Sequence, residues 1–189
     1  MNRKRMNSRK QRNRIFLGCE GKAEYFYALW LKWAVTEELN LHVHIDAHEL
    51  GGGALDKMVR VAADKRHRLQ KVGAYKHSFI LFDRDRYDRD AEEGRRAEID
   101  AASARISLVW QRPCSECFIL LHCREHRDAP VHTKTVALQI IQDLFGQLPP
   151  IPHYVLRKHL EYSPDAFESI CKHAEGLRTF LVSIGILKK

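Results

Sequence analysis

The sequence predicts an α/β fold, a mostly parallel sheet flanked by helices, with a C-terminal helical extension. Short apolar runs at residues 14–19, 78–82 and 105–110 have the length and content of buried strands. Between them lie segments whose apolar residues recur at helical spacing. Strand–helix alternation of this kind builds a parallel sheet, and ligands of such sheets sit beyond the carboxyl ends of the strands.

The elements follow in order. Arg14-Ile15-Phe16-Leu17-Gly18-Cys19 reads as a buried strand, and after Gly21 the segment from Ala23 to about Leu39 reads as a helix, with Phe26, Leu29, Trp30, Trp33 and Ala34 at helical spacings. Val43, Ile45 and Ala47 alternate with His44, Asp46 and His48, which is strand periodicity. Gly51-Gly52-Gly53 breaks the chain, and a helix from Leu55 to about Val72 carries Leu55, Met58, Val59, Ala62 and Ala63 on one side. Ser78 to Phe82 forms a strand closed by Asp83-Arg84-Asp85; a polar helix over 88–103 and a strand over 105–110 follow. Cys114 to His122 reads as a buried helix and Leu148-Pro149-Pro150-Ile151-Pro152 as a rigid connector. Ser163-Pro164-Asp165 starts a final helix with Ser as N-cap, Pro at the first position and an acid in the first turn, running to about Ser183. The expected organisation is a basic disordered arm over 1–13, an α/β domain over 14–147, and a connector and helix over 148–189 packed on that domain.

The 189 residues suit one ordinary domain, and 44% hydrophobic with 30% charged residues is a globular balance. No run approaches the roughly 18 apolar residues of a membrane span, and the N-terminal basic stretch lacks the apolar core of a secretory signal. Five cysteines, an odd number, fit a reducing cytoplasm better than a disulfide scaffold. The net charge is +8, yet Arg3, Lys4, Arg5, Arg9, Lys10, Arg12 and Arg14 supply seven of these charges, so the body is nearly neutral. Such an arm holds phosphates with a grip that weakens steeply in salt; a merely solubilising terminus is the competing reading.

Three acidic groups stand at strand ends. Glu20 and Glu24 follow the first strand, Asp83 and Asp85 a later one, and Glu116 the strand ending at Trp110. If those strands are parallel neighbours, all five carboxylates reach one edge of the sheet. A hard cation such as Mg²⁺ takes oxygen ligands, usually one or two carboxylates with water and phosphate. A lone Asp-x-Asp is more often a solvated turn, and Glu24 alone could be a first-turn acid. It is the coincidence of three groups that suggests a metal site for phosphodiester chemistry.

Other constellations compete less well. Cys114, Cys117, Cys123 and His126 have zinc-like spacing, but Cys114, Cys117 and Leu121 share one apolar helical face, where buried free thiols are common. His42, His44 and His48 read as a partly exposed sheet surface, and His122 as packing rather than acid–base chemistry. Arg157, Lys158 and His159 are candidates to face the acidic edge and bind phosphate. The triple glycine lacks the G-K-[ST] of a phosphate-binding loop, so any ATP must come with a partner.

Four ordered motifs resemble the RloB family. Ile15-Phe16-Leu17-Gly18-Cys19-Glu20-Gly21-Lys22-Ala23-Glu24-Tyr25-Phe26 is similar to its opening, roughly I-x-x-x-C-E-G-x-T-E-x-x-Y-F. Gly51-Gly52-Gly53, Phe82-Asp83-Arg84-Asp85, and the run from Pro113 to His122, roughly N-P-C-F-E-x-W-x-L-L-H in the family, follow in the same order. Ala23 stands where threonine is usual, Ser115 where an aromatic is usual, Phe118 where tryptophan is usual, and Cys123 where an aromatic is usual. The resemblance, over about residues 14–175, implies a Toprim-like fold and a Mg²⁺- or Mn²⁺-dependent nuclease. It implies Glu20 as the catalytic glutamate, Asp83 and Asp85 as metal-binding partners, and Glu24 and Glu116 in support.

It further implies a nucleic-acid target, RNA and in particular tRNA rather than DNA, in cytoplasmic antiphage defence beside an ABC-type or AAA ATPase encoded nearby. Arg3, Lys4, Arg5, Arg9, Lys10, Arg12 and Lys158 are the expected nucleic-acid contacts, no membrane is expected, and a homo-oligomer is an admissible state. The alternative is a non-catalytic module that binds nucleic acid or the ATPase.

Overall fold

The first apolar run forms strand β1 (Asn13–Cys19), which lies inside a five-stranded sheet rather than at its edge. The computed structural model describes residues 12–188. β2 (Val43–Glu49) and β3 (His77–Asp83) pair with β1 on either side, β4 (Ser107–Gln111) pairs with β3, and all four are parallel. β5 (Ala174–Glu175) adds an antiparallel edge beside β4, so the order is β2-β1-β3-β4-β5.

Parallel strands buried on both faces need apolar residues at successive positions, and alternation then sends them to opposite layers. Ile15, Leu17, Cys19, Phe79 and Leu81 point into one core; Phe16, Ile80 and Phe82 point into the other. The first core is closed by α1 (Lys22–Trp33), α5 (Ser115–Leu120), α7 (Lys134–Phe145), α8 (His153–His159), α9 (Pro164–Ile170) and α10 (Leu177–Ile184). The second is closed by α2 (Leu55–Leu69) and α4 (Ala91–Ser103). Leu156, Phe167, Phe180 and Leu181 share a core with β1 and β3, so the C-terminal segment completes the domain's own interior. A mostly parallel sheet with helices on both faces is the predicted α/β class and is consistent with a Toprim-like arrangement.

Three elements depart from expectation. The buried side of α1 is Tyr27, Ala28, Trp30 and Leu31, with Phe26, Leu29 and Trp33 only partly buried, and after Trp33 the helix widens into a π-turn over Ala34–Glu38. The polar helix is two helices: α3 (Arg84–Arg89) starts directly after β3, and Asp90 caps α4 by accepting from the Glu93 N–H at 2.9 Å. The expected last helix is broken. Ser163 does cap α9, accepting from the Ala166 N–H at 3.2 Å, but α9 ends in a 3-10 turn, β5 intervenes and Gly176 turns the chain into α10.

His122 is wholly structural. It is 0% exposed, its Nδ1 lies 3.0 Å from the Glu161 carbonyl and its Nε2 lies 3.1 Å from the Tyr27 hydroxyl. A carbonyl can only accept, so Nδ1 carries the proton and Nε2 accepts from Tyr27. Burial pushes its pKa down to about 3. The unfolded chain therefore binds a proton that the native chain refuses, and stability falls as pH drops from the ordinary histidine value near 6.5 toward 3. This loss amounts to about 1.4 kcal/mol per pH unit at this one group. Urea titrations at pH 5 and 7 should show a smaller acid loss in His122→Asn than in the native chain.

Candidate active site

Because β1, β3 and β4 are parallel neighbours, their carboxyl ends open at one edge of the sheet, where each strand delivers its acids. β1 runs through Glu20 into α1, β3 ends on Asp83 and passes directly into α3, and β4 leads to Ser115 and Glu116 at the start of α5. Backbone bonds knit these loops together: the Glu20 N–H donates to the Leu81 carbonyl at 3.3 Å, and the Asp85 N–H to the Pro113 carbonyl at 3.1 Å.

Asp83 is the hub. Its Oδ1 accepts from the Ser115 N–H at 2.7 Å, and its own N–H donates to Glu20 Oε2 at 3.2 Å. Burial, then the charges of Glu24, Glu20, Glu116 and Asp85, push its carboxyl up to about 8. Glu24 lies beneath at 4% exposure; its Oε2 accepts from the Gly21 N–H at 2.9 Å and caps α1. Burial raises its pKa against the opposing effect of its hydrogen bonds. Glu116, at 6% exposure, is also pushed up by burial, but the hydrogen bond from Lys134 Nζ at 2.9 Å, further hydrogen bonds and the Lys134 charge together outweigh this and leave it low.

The cleft in front of these groups encloses about 490 Å³ and is lined by Glu20, Asp83 and Asp85 together with Arg86, Arg89 and Lys134. Arg86 is the organising cation. Its Nη1 donates to Glu20 Oε1 at 2.7 Å and its Nη2 to the Gly53 carbonyl at 2.6 Å, so α3, β1 and the triple-glycine loop meet on one guanidinium. Glu93 accepts from the Leu55 N–H and stands 3.9 Å from Arg86.

Glu20, Asp83, Asp85, Glu24 and Glu116 are therefore brought to one place, the first three on the wall of the cleft and the last two behind it. Among the described residues no three His, Cys, Asp or Glu side chains come close enough together to hold a metal ion by themselves. The donor set nevertheless fits a hard cation. It is all carboxylate oxygen, it holds more negative charge than its own cations neutralise at Asp83, and Asp85 Oδ1 is buried with no hydrogen-bond partner among the described residues. Magnesium requires only one or two such carboxylates, with water and phosphate completing its shell.

The basic residues are arranged differently from the expectation. Lys158 is exposed on α8 and does not line the cleft; its neighbour Arg157 stacks over Trp33, 4.9 Å from the ring centroid, on the outer side of α1. Arg12 precedes β1 at the amino end of the sheet, roughly 25 Å of extended chain from Glu20. Arg3, Lys4, Arg5, Arg9 and Lys10 lie outside the described residues. The cations at the cleft are Arg86, Arg89 and Lys134. The first two follow Asp83 by three and six residues on α3, a spacing visible in the sequence; Lys134 opens α7 after the short helix α6 (Arg124–Asp128), at a position that no local signal ties to the acids.

Of the competing constellations, Cys114 and Cys117 are buried with sulfurs 3.6 Å apart, and hydrogen bonding to Cys117, with burial, holds the Cys114 thiol far above its usual range. His48 stacks on Phe16, with ring centroids 5.3 Å apart, beside an Asp46 carboxylate bound by Arg14 and Tyr75. Both groups are packing.

Against known families, the model described as RloB-like protein matches residues 15–178. The chain belongs to the RloB-like family. The match covers β1 through the start of α10, and with them every acid of the cleft. No curated protein and no solved structure matches the chain. No described helix of this RloB-like chain is long and apolar enough to cross a membrane.

Proposed function

We propose that this RloB-like protein is a metal-dependent nuclease that hydrolyses phosphodiester bonds in nucleic acid, RNA and especially tRNA, as the effector of a defence pair whose ATPase partner supplies any nucleotide-driven control. The observation that carries the reading is Asp83, a carboxyl at the carboxyl edge of a parallel sheet that burial and then the charges of four neighbouring acids push up to about 8. Such crowding of like charge is costly unless a cation or a reaction uses it.

Glu20, Asp83 and Asp85 are the residues that would hold Mg²⁺ or Mn²⁺, with Glu24 and Glu116 supporting. Bound there, the cation neutralises charge on the scissile phosphate and makes its water more acidic. The chain's own residues do the rest. The Ser115 N–H fixes Asp83 Oδ1, and the Asp83 N–H fixes Glu20. Arg89 and Lys134, on the cleft wall, bind the non-bridging phosphate oxygens and stabilise the charge that develops on them. Arg86, donating to Glu20 Oε1 at 2.7 Å, holds the Glu20 carboxylate at the edge of the cleft where it would serve as a ligand.

The test is incubation of the purified protein with end-labelled total tRNA and with duplex DNA, with Mg²⁺ or Mn²⁺ and with EDTA. The expected result is cleavage of tRNA that EDTA stops. Cleavage that persists in EDTA contradicts the metal-dependent reading; no cleavage of either substrate leaves the non-catalytic binding module.

A further inference from the structure

A second concavity backs onto the acidic cleft. It encloses about 300 Å³ and shares a wall with the cleft through the β3–α3 and β4–α5 junctions. Arg84, which lines it, directly follows Asp83; Pro113, which also lines it, offers its carbonyl to the Asp85 N–H. Its walls differ in chemistry. Pro113, Leu121 and Val131 make one side apolar, while Arg84, Arg112 and Lys172, with the acid Asp88 beside Arg84, make the other predominantly cationic.

These cations differ in how they are held. Arg84 is preset: its guanidinium carbon lies 3.9 Å from the Tyr87 ring centroid, and its Nε donates to Asp88 at 3.1 Å. Arg112 and Lys172 are exposed, and neither side chain donates a hydrogen bond to another described residue. Arg112 forms an ion pair with Glu175 at 3.6 Å, and the same carboxylate stands 3.8 Å from Arg84; Glu175 is itself exposed, so these pairs are weak and open to exchange. His132 and His173 complete the same rim, and burial and the charges of His132 and Lys172 keep His173 low. Lys172, which makes no ion pair among the described residues, and Arg112, paired with the exposed Glu175, stand beside a preset arginine; this is a phosphate-binding arrangement, since guanidinium and ammonium donors form their strongest bonds with such oxyanions. The volume is at the lower limit of small-molecule sites, the size of one nucleotide, and the apolar wall suits a base or sugar.

We infer that this pocket is a nucleotide-phosphate subsite, taking the phosphate of one nucleoside unit on Arg84, Arg112 and Lys172 with its base or sugar against Leu121 and Val131. The unit is either a free nucleotide or part of a strand whose neighbouring phosphodiester lies in the acidic cleft; only the second source rests on the nuclease reading.

The test is equilibrium binding to the Asp83→Asn protein in EDTA, so that neither metal nor cleavage enters the result. The probes are adenosine monophosphate, adenosine, and a short RNA with and without a terminal phosphate. Adenosine monophosphate should bind at least about tenfold more tightly than adenosine, and Arg112→Ala with Lys172→Ala should weaken it by about tenfold or more. Both substituted residues are exposed, and the one pair lost, Arg112 with the exposed Glu175, is worth little, so the melting temperature should change little. Tighter binding of the phosphorylated RNA than of the mononucleotide identifies the strand as the source; equal binding identifies the free nucleotide. No binding of either phosphorylated probe, or binding that the double substitution leaves unchanged, overturns the inference.

Discussion

Asp83→Asn is expected to lower the rate of the proposed cleavage by about three orders of magnitude without loss of folded protein. The substitution keeps the shape and keeps an oxygen to accept from the Ser115 N–H, so the contact between the end of β3 and the start of α5 is retained. What it removes is the one carboxylate placed among Glu20, Glu24, Asp85 and Glu116. Removing a charge from a like-charged cluster relieves repulsion, so the variant melts at or above the temperature of the native chain at pH 8. A polar-core substitution that merely damaged the fold would do the opposite and lower the melting temperature. Normal cleavage by a folded Asp83→Asn protein contradicts the site assignment.

Gly176→Ala is expected to be the most destabilising of the small substitutions, by about 2–4 kcal/mol. Gly176 sits at φ +79°, and a Cβ there would meet the Leu108 carbonyl oxygen at 2.2 Å, a backbone atom of β4 that cannot step aside. The strain falls on the β4–β5 pairing and is passed along β4 toward Glu116, so cleavage should decline with stability. Gly146→Ala provides the control. Its φ is +70° but nothing lies within 4 Å of the added carbon, so it costs only about 1 kcal/mol. Urea denaturation of the two variants separates the close approach from the positive φ; equal losses would show that the Leu108 contact is not the cause.

The sheet was legible because buried parallel strands announce themselves as short apolar runs, as Ile15-Phe16-Leu17 and Phe79-Ile80-Leu81-Phe82 do. The acids were legible because each follows such a run. β5 was not: two residues, Ala174 and Glu175, carry no periodicity, and their pairing depends on a turn that only Gly176 permits. The end of the polar helix at Ser103 was legible, but its start was misplaced although Asp90 and Glu93 carry a capping signal, because charged residues on both sides masked the break. Arg157 and Lys158 looked suitable by charge, yet α8 packs on α1, and Arg157 is held by Trp33. Lys134 could not be assigned to Glu116 from sequence, because only the packing of α7 on α5 makes their 2.9 Å contact.

The central claim, that the carboxylates at this edge form one cation site, is tested most directly by Mn²⁺ binding measured by electron paramagnetic resonance. The account predicts that the native protein binds Mn²⁺, that Mg²⁺ competes for the same site, and that Asp83→Asn and Asp85→Asn each weaken binding by at least about tenfold. Absence of bound Mn²⁺ in the native protein, or binding unchanged in both variants, would contradict it.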